Sequence, residues 1–247
     1  MGRFARLDRG RARRVGVPEV ILGEGKTVAH LLAILRALSA RGEGALVSRP
    51  TPEQLRALRS IDSGKLALEI RAGGRLVRLH GSLGVRYRRG TVAIVTAGTS
   101  DVPAAEEARS VLDELGIATV LAHDVGVAGL HRLLRAVRAL ERRGPEVYLV
   151  FAGREGALPT VIAGLVRAPV VGVPTAVGYG RGGRGEAALS AMLQSCAPIA
   201  VVNIDAAVPA ALFAAQHFLT ASVRPARPRP RRANHAAVRP SRAPPRT

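Results

Sequence analysis

The sequence predicts a parallel α/β sheet covered by helices on both faces, and two observations carry that reading. From Thr91 onward, short β-branched runs alternate with amphipathic segments of helical length, the pattern that strands joined by crossover helices produce. Apolar residues make up 47% of the chain, yet aromatics only 3%, with no Trp. The core is therefore predicted to be Ala, Val and Leu, side chains small enough for helices to lie close on either face of a sheet. Connections of this length admit only right-handed crossovers, which gives a flavodoxin-like or Rossmann-like wrap of five strands.

Residues 1–80 read as a small α+β region. An Arg-rich start is followed by a short strand at Val20 to Leu22. Val28, Leu31, Leu32, Ile34, Leu35 and Leu38 recur at helical spacing over 27–39. Ala45 to Val47 is a short apolar run. Thr51-Pro52-Glu53-Gln54 combines an N-cap, an N1 proline and a capping-box glutamine, a strong helix start. Lys65 to Ile70 and Arg75 to Leu79 alternate like a hairpin around Gly73-Gly74. Residues 81–90 are glycine- and arginine-rich and read as a linker.

The α/β domain spans 91–221. Strands are predicted at 92–96, 117–122, 147–151, 169–173 and 199–204, and helices at 102–115, 128–142, 158–167, 185–195 and 207–219. Residues 222–247 contain no acid and are dense in proline and arginine, the composition of a disordered basic tail.

The net charge is +19, carried by Arg, because Lys26 and Lys65 are the only lysines. Such a bias follows genome composition as readily as nucleic-acid binding, and the few aromatics are not interleaved with the basic clusters to form a stacking platform. A weak contact of the tail with RNA is the most that the charge supports. One cysteine, Cys196, leaves no intramolecular disulfide and no cysteine-based zinc site, as expected of a cytoplasmic protein. Pro18, Glu19 and Glu24 interrupt any apolar segment after the basic N-terminus, so no export is expected. Between Glu186 and Arg224 the only charge is Asp205, but Pro198, Asn203 and Pro209 divide this stretch into core-element lengths rather than a membrane span.

In such sheets ligands bind beyond the carboxyl ends of the strands. After the first strand, Gly98, Thr99, Ser100 and Asp101 open a helix, where free backbone N–H groups and the helix dipole favour a phosphate. Ser100 and Thr99 can donate to that anion, and Asp101 can cap the helix or take a ribose hydroxyl. His123 and Asp124 follow the second strand, Gly153, Arg154 and Glu155 the third, Tyr179 and Gly180 with a glycine run the fourth, and Asn203 and Asp205 the fifth. Each also has an ordinary reading. Asp124 and Asp205 suit helix caps, Glu155 suits the first turn of a helix, and the glycine run suits a mobile loop. Cys196 falls between a helix and the strand after it, nominally at the opposite end of the sheet, and lone cysteines are commonly small core residues.

AGTSD at 97–101, DVGVAGLHRLL at 124–134, AGREGALPTVIAGLV at 152–166, VPTAVGYG at 173–180 and MLQSCAPIAVVNID at 192–205 together resemble the LarB-type enzymes of nickel-pincer nucleotide biosynthesis. FARLD near the start and PEVILGEGKT at 18–27 are similar to that family's leader. The chain departs from the family pattern at Ala206 to Pro209. The wider superfamily is the PurE-type aminoimidazole ribonucleotide carboxylases and mutases.

The resemblance implies carboxylation of the pyridinium ring of nicotinic acid adenine dinucleotide with carbon dioxide or bicarbonate. It also implies phosphoanhydride cleavage releasing AMP, to give pyridinium biscarboxylic acid mononucleotide. It assigns Cys196 as nucleophile and Glu155 as base. Gly98, Thr99, Ser100, Asp101, Asp124, Gly153, Tyr179 and Gly180 are the substrate-binding residues it implies. Magnesium would assist the phosphoanhydride step, the metal ligands are unassigned, and a PurE-like octamer with sites at subunit contacts is implied. Two alternatives stand beside this: a PurE-like carboxylase or mutase acting on aminoimidazole ribonucleotide, and a nucleotide- or RNA-binding module with a degenerate site.

Overall fold

A computed structural model describes residues 8, 10–61 and 66–220. The basic tail read at 222–247, most of the FARLD leader and Lys65 lie outside the described residues. The chain forms two sheets. The first, in the order β1-β2-β4-β3, comprises β1 (Val20–Leu22), β2 (Ala45–Ser48), β3 (Leu68–Arg71) and β4 (Leu76–Leu79). A short helix α1 (Arg11–Val15) precedes it, and α2 (Val28–Ser39) crosses over between the parallel β1 and β2. The predicted hairpin is β3–β4, antiparallel with Ile70 opposite Val77. α3 (Pro52–Arg59) starts at the predicted capping box: Thr51 Oγ1 accepts from the Gln54 amide while Gln54 Oε1 accepts from the Thr51 amide.

The period-2 geometry of β2 and β4 divides their side chains between two cores. Ala45, Val47, Val77 and Leu79 pack against Leu31, Leu35 and Leu38 of α2 and Leu58 of α3. Leu46 and Leu76, on the opposite face, join the core of the second sheet. The first sheet is thus buried on both sides.

The second sheet is wholly parallel, in the order β6-β5-β7-β8-β9, with β5 (Thr91–Thr96), β6 (Ala118–Ala122), β7 (Val147–Ala152), β8 (Val170–Pro174) and β9 (Ile199–Val201). This is the flavodoxin-like winding. Val92, Ile94, Leu149 and Phe151 face α4 (Val102–Glu114) and α8 (Ala207–Gln216). Ala93, Val95, Tyr148 and Val150 face α5 (Leu130–Glu141), α6 (Leu158–Ala163) and α7 (Glu186–Leu193). Three elements end three or four residues earlier than predicted. α6 stops before Gly164, α8 stops at Gln216, and β9 ends at Val201 because the chain turns through Asp205 at φ 55°.

Residues 81–90 form a strap fastened at both ends. Ser82 exchanges backbone bonds with Gly42 and Gly44, the Tyr87 hydroxyl donates to Gly16 O at 2.9 Å, and the Arg88 amide donates to Phe218 O at 2.7 Å. Among the described residues no helix is long and apolar enough to cross a membrane.

Candidate active site

The strand order reverses between β5 and β7. Loops leaving the carboxyl ends of those two strands diverge around a crevice, the place where open α/β sheets bind ligands. The loop after β5 is the glycine turn. Gly98 is extended, and residues Thr99–Asp101 make one 3-10 turn leading into α4, with Pro103 in its first turn. Thr99 and Ser100 are exposed at this helix start, placed to donate to an anion.

Asp101 behaves differently from its neighbours. It is buried, and both carboxylate oxygens are engaged: Oδ2 accepts from the Gly98 amide at 2.8 Å and Oδ1 from the Thr175 hydroxyl at 2.6 Å. Burial pushes its pKa up, and the nearby Asp205 charge adds to that, while the Thr175 and Gly98 bonds pull it down. The residue closes the glycine loop on itself and ties it to the loop after β8.

The loop after β6 supports the same turn from the other side. Thr96 Oγ1 accepts from the Asp124 amide at 3.2 Å, and Gly126 lies so close to Ala97 that a Cβ would stand 2.9 Å from its carbonyl oxygen. Asp124 takes a positive φ of 55° and accepts from Arg132 at 3.0 Å. It borders the crevice as a paired, half-exposed carboxylate.

Gly153 to Glu155 and the loop after β8 interlock. A Cβ on Gly153 would fall 2.2 Å from Val177 O, the Arg154 amide donates to that oxygen, and the Arg154 guanidinium lies 4.9 Å over the exposed Tyr179 ring. Glu155 is exposed beside them. The structure thus gathers Gly98, Thr99, Ser100, Asp101, Asp124, Gly153, Glu155, Tyr179 and Gly180 along one edge of the sheet.

Cys196 is not among them. It is exposed in the turn between α7 and β9. Ile199 pairs with Val170 at the start of β8, whereas Ala152, just before Gly153, pairs with Pro174 at its end. About 13 Å of strand lies between those registers. Within one chain, Cys196 and Glu155 stand at opposite ends of the sheet.

Two residues entered the site unpredicted. Thr175 had no signal beyond its place in the loop after β8, and Arg49, far away in sequence, donates through its guanidinium to Asp205 O. Asp205 in turn accepts from the Ala176 amide at 3.1 Å. Among the described residues no group of three or more His, Cys, Asp or Glu side chains is arranged to hold a metal ion.

Fold and crevice together define a flavodoxin-like α/β protein with a glycine turn and a helix start at its switch point. The family described as AIR carboxylase matches residues 91–226, and the LarB/PurE-like N-terminal domain matches residues 1–77. The chain belongs to the AIR carboxylase family. An uncharacterised protein of Methanocaldococcus jannaschii is 38% identical over 85% of this chain and 82% of its own length. An N5-carboxyaminoimidazole ribonucleotide mutase of Pyrococcus horikoshii is 31% identical over 53% of this chain and 74% of its own. The crystal structure of Treponema denticola PurE aligns at a TM-score of 0.40 with 25% identity, over 50% of this chain and 78% of that one.

Proposed function

We propose that the protein is a LarB-type carboxylase and hydrolase that converts nicotinic acid adenine dinucleotide, carbon dioxide and water to pyridinium biscarboxylic acid mononucleotide and AMP. The observation that carries this reading is the exposed thiol of Cys196. An aminoimidazole substrate is already an enamine and needs no protein nucleophile to accept a one-carbon unit. A pyridinium ring is electron-poor and does.

The thiolate adds to the pyridinium ring at a carbon adjacent to the one to be carboxylated, and the ring π electrons neutralise the cation to leave a dihydropyridine. Its carbon β to nitrogen then attacks carbon dioxide. Glu155 removes the proton from that carbon, the C–S electron pair returns to sulfur, and aromaticity is restored. Water cleaves the phosphoanhydride, with AMP as leaving group. Thr99, Ser100 and the Gly98 turn would hold the phosphate of the nicotinate half. A magnesium ion, for which no protein ligands are assigned, would assist the phosphoanhydride step. Because Cys196 and Glu155 stand at opposite ends of one sheet, the reaction requires a site shared between subunits, and a homo-oligomer is part of the proposal.

Incubation with the dinucleotide, bicarbonate and magnesium should give the dicarboxylated mononucleotide and AMP by mass spectrometry, and Cys196→Ala should abolish both carboxylation and any acid-quenched adduct on the protein. The identity to N5-carboxyaminoimidazole ribonucleotide mutases supports a second reading, a PurE-like carboxylase or mutase. Turnover of an aminoimidazole ribonucleotide that is unaffected by Cys196→Ala would establish that second reading and overturn the first.

A further inference from the structure

A cavity of about 490 Å³ is walled by the loops and α3 at one end of the first sheet, with Glu24, Arg49, Arg75, Leu55 and Gly74 among its lining, and Asp205, beyond β9, is the lining residue from the second. It lies at the carboxyl edge of the large sheet, because the Asp205 amide donates to Pro174 O at the end of β8. A line of hydrogen bonds joins it to the glycine turn. Arg49 donates to Asp205 O; Asp205 Oδ1 accepts from the Ala176 amide; the adjacent Thr175 hydroxyl donates to Asp101; and Asp101 accepts from the Gly98 amide.

We propose that this cleft is the second half of the substrate site and takes the 5′-mononucleotide end that the glycine turn does not hold. The inference rests on the reading of the substrate as a dinucleotide. Two guanidinium groups beside two carboxylates complement a nucleotide: forked donors suit phosphate oxygens, and carboxylates accept from a ribose diol. The guanidinium groups are also fixed in place. Arg49 is a non-glycine residue held at φ 49°, with its amide donating to Arg75 O at 2.8 Å, and Arg75 is anchored through Nε to the buried Glu107 at 3.0 Å. The first sheet supplies this wall, and it has its own family match at 1–77, whereas the ribonucleotide mutases align over about half of the chain. A one-nucleotide substrate would need only the glycine turn. A two-nucleotide substrate needs a second wall.

Calorimetric titration of the full chain with 5′-AMP and, separately, with nicotinic acid mononucleotide tests the assignment. Arg49→Ala should weaken 5′-AMP about tenfold, the loss of one charge-assisted contact, and leave nicotinic acid mononucleotide within about twofold. Arg49→Lys should recover part of the loss, and in turnover Arg49→Ala should raise KM for the dinucleotide more than it lowers kcat. Glu24→Gln, at an exposed wall position, provides a second variant that leaves the packing untouched and should weaken 5′-AMP several-fold. Unchanged 5′-AMP affinity in both variants, or an equal loss for both mononucleotides, overturns the proposal. Arg49-dependent 5′-AMP binding without dinucleotide turnover would sink the reading of the reaction and leave the cleft standing; turnover with KM indifferent to Arg49 would do the reverse.

Discussion

Asp101 shows how a residue at a helix start can hold the loops of the site together. Both of its oxygens are committed within the protein and its pKa is raised, burial being the main cause. A raised carboxylate pKa favours folding most fully below the ordinary value of 3.8, and that contribution is lost as pH rises through the folded value. Asp101→Asn keeps the neutral shape. Its denaturant midpoint relative to the parent protein should therefore improve as pH rises above the ordinary value of 3.8, and a flat difference would contradict the assignment. Gly153 is constrained by space rather than charge. Gly153→Ala must push Val177 aside and should cost about 1–3 kcal/mol in chemical denaturation, together with weaker nucleotide binding. The glycine turn was legible because small residues between a β-branched run and a helix have few other uses. That Asp101 faces Thr175 was not, because 74 residues separate them.

At the scale of elements, α4 links the two sheets to the site. Its first turn continues from the glycine loop, while farther along Glu107 accepts from Ser48 at 2.8 Å and from Arg75 at 3.0 Å, and Glu114 pairs with Arg78 and Arg71. Glu107 is 1% exposed and Arg75 only partly buried, so Glu107→Ala leaves an arginine that water can reach. A loss of about 1–3 kcal/mol is expected from urea unfolding, with a double-mutant cycle against Arg75→Ala returning a coupling of about 0.5–3 kcal/mol. Additive single effects would show that the two side chains do not support one another. The capping box of α3 could be read directly, since its partners lie three residues apart, but Gln54 also donates to Gly23 O and Lys26 O. That second duty depends on where the β1–α2 turn comes to rest.

For the whole molecule, the separation of Cys196 from Glu155 makes assembly the deciding property. A site built from two subunits predicts complementation. Cys196→Ala and Glu155→Gln proteins should each be inactive, yet a co-assembled equal mixture should recover about a quarter of the parent activity, the random fraction of contacts that pair an intact cysteine with an intact glutamate. No recovery in mixtures shown by native mass spectrometry to have exchanged subunits would place the two groups in separate roles. Exposed Leu193, at the end of the helix before Cys196, and exposed Phe213 on α8 supply apolar surface suited to such contacts.

By itself the sequence determined the alternation of strands and helices, the glycine turn, the α3 cap and the set of loops on one edge of the large sheet, because each depends on neighbours within a few residues or on a repeating hydrophobic period. The place of Cys196 at the far end of the sheet was legible too, from its position between a helix and the strand after it. Tertiary structure alone decided that the first sheet closes over α4 and that Arg49 reaches Asp205. Those outcomes depend on contacts between segments distant in sequence. Local propensity does not encode such contacts; they are settled only when the two sheets bury their shared core.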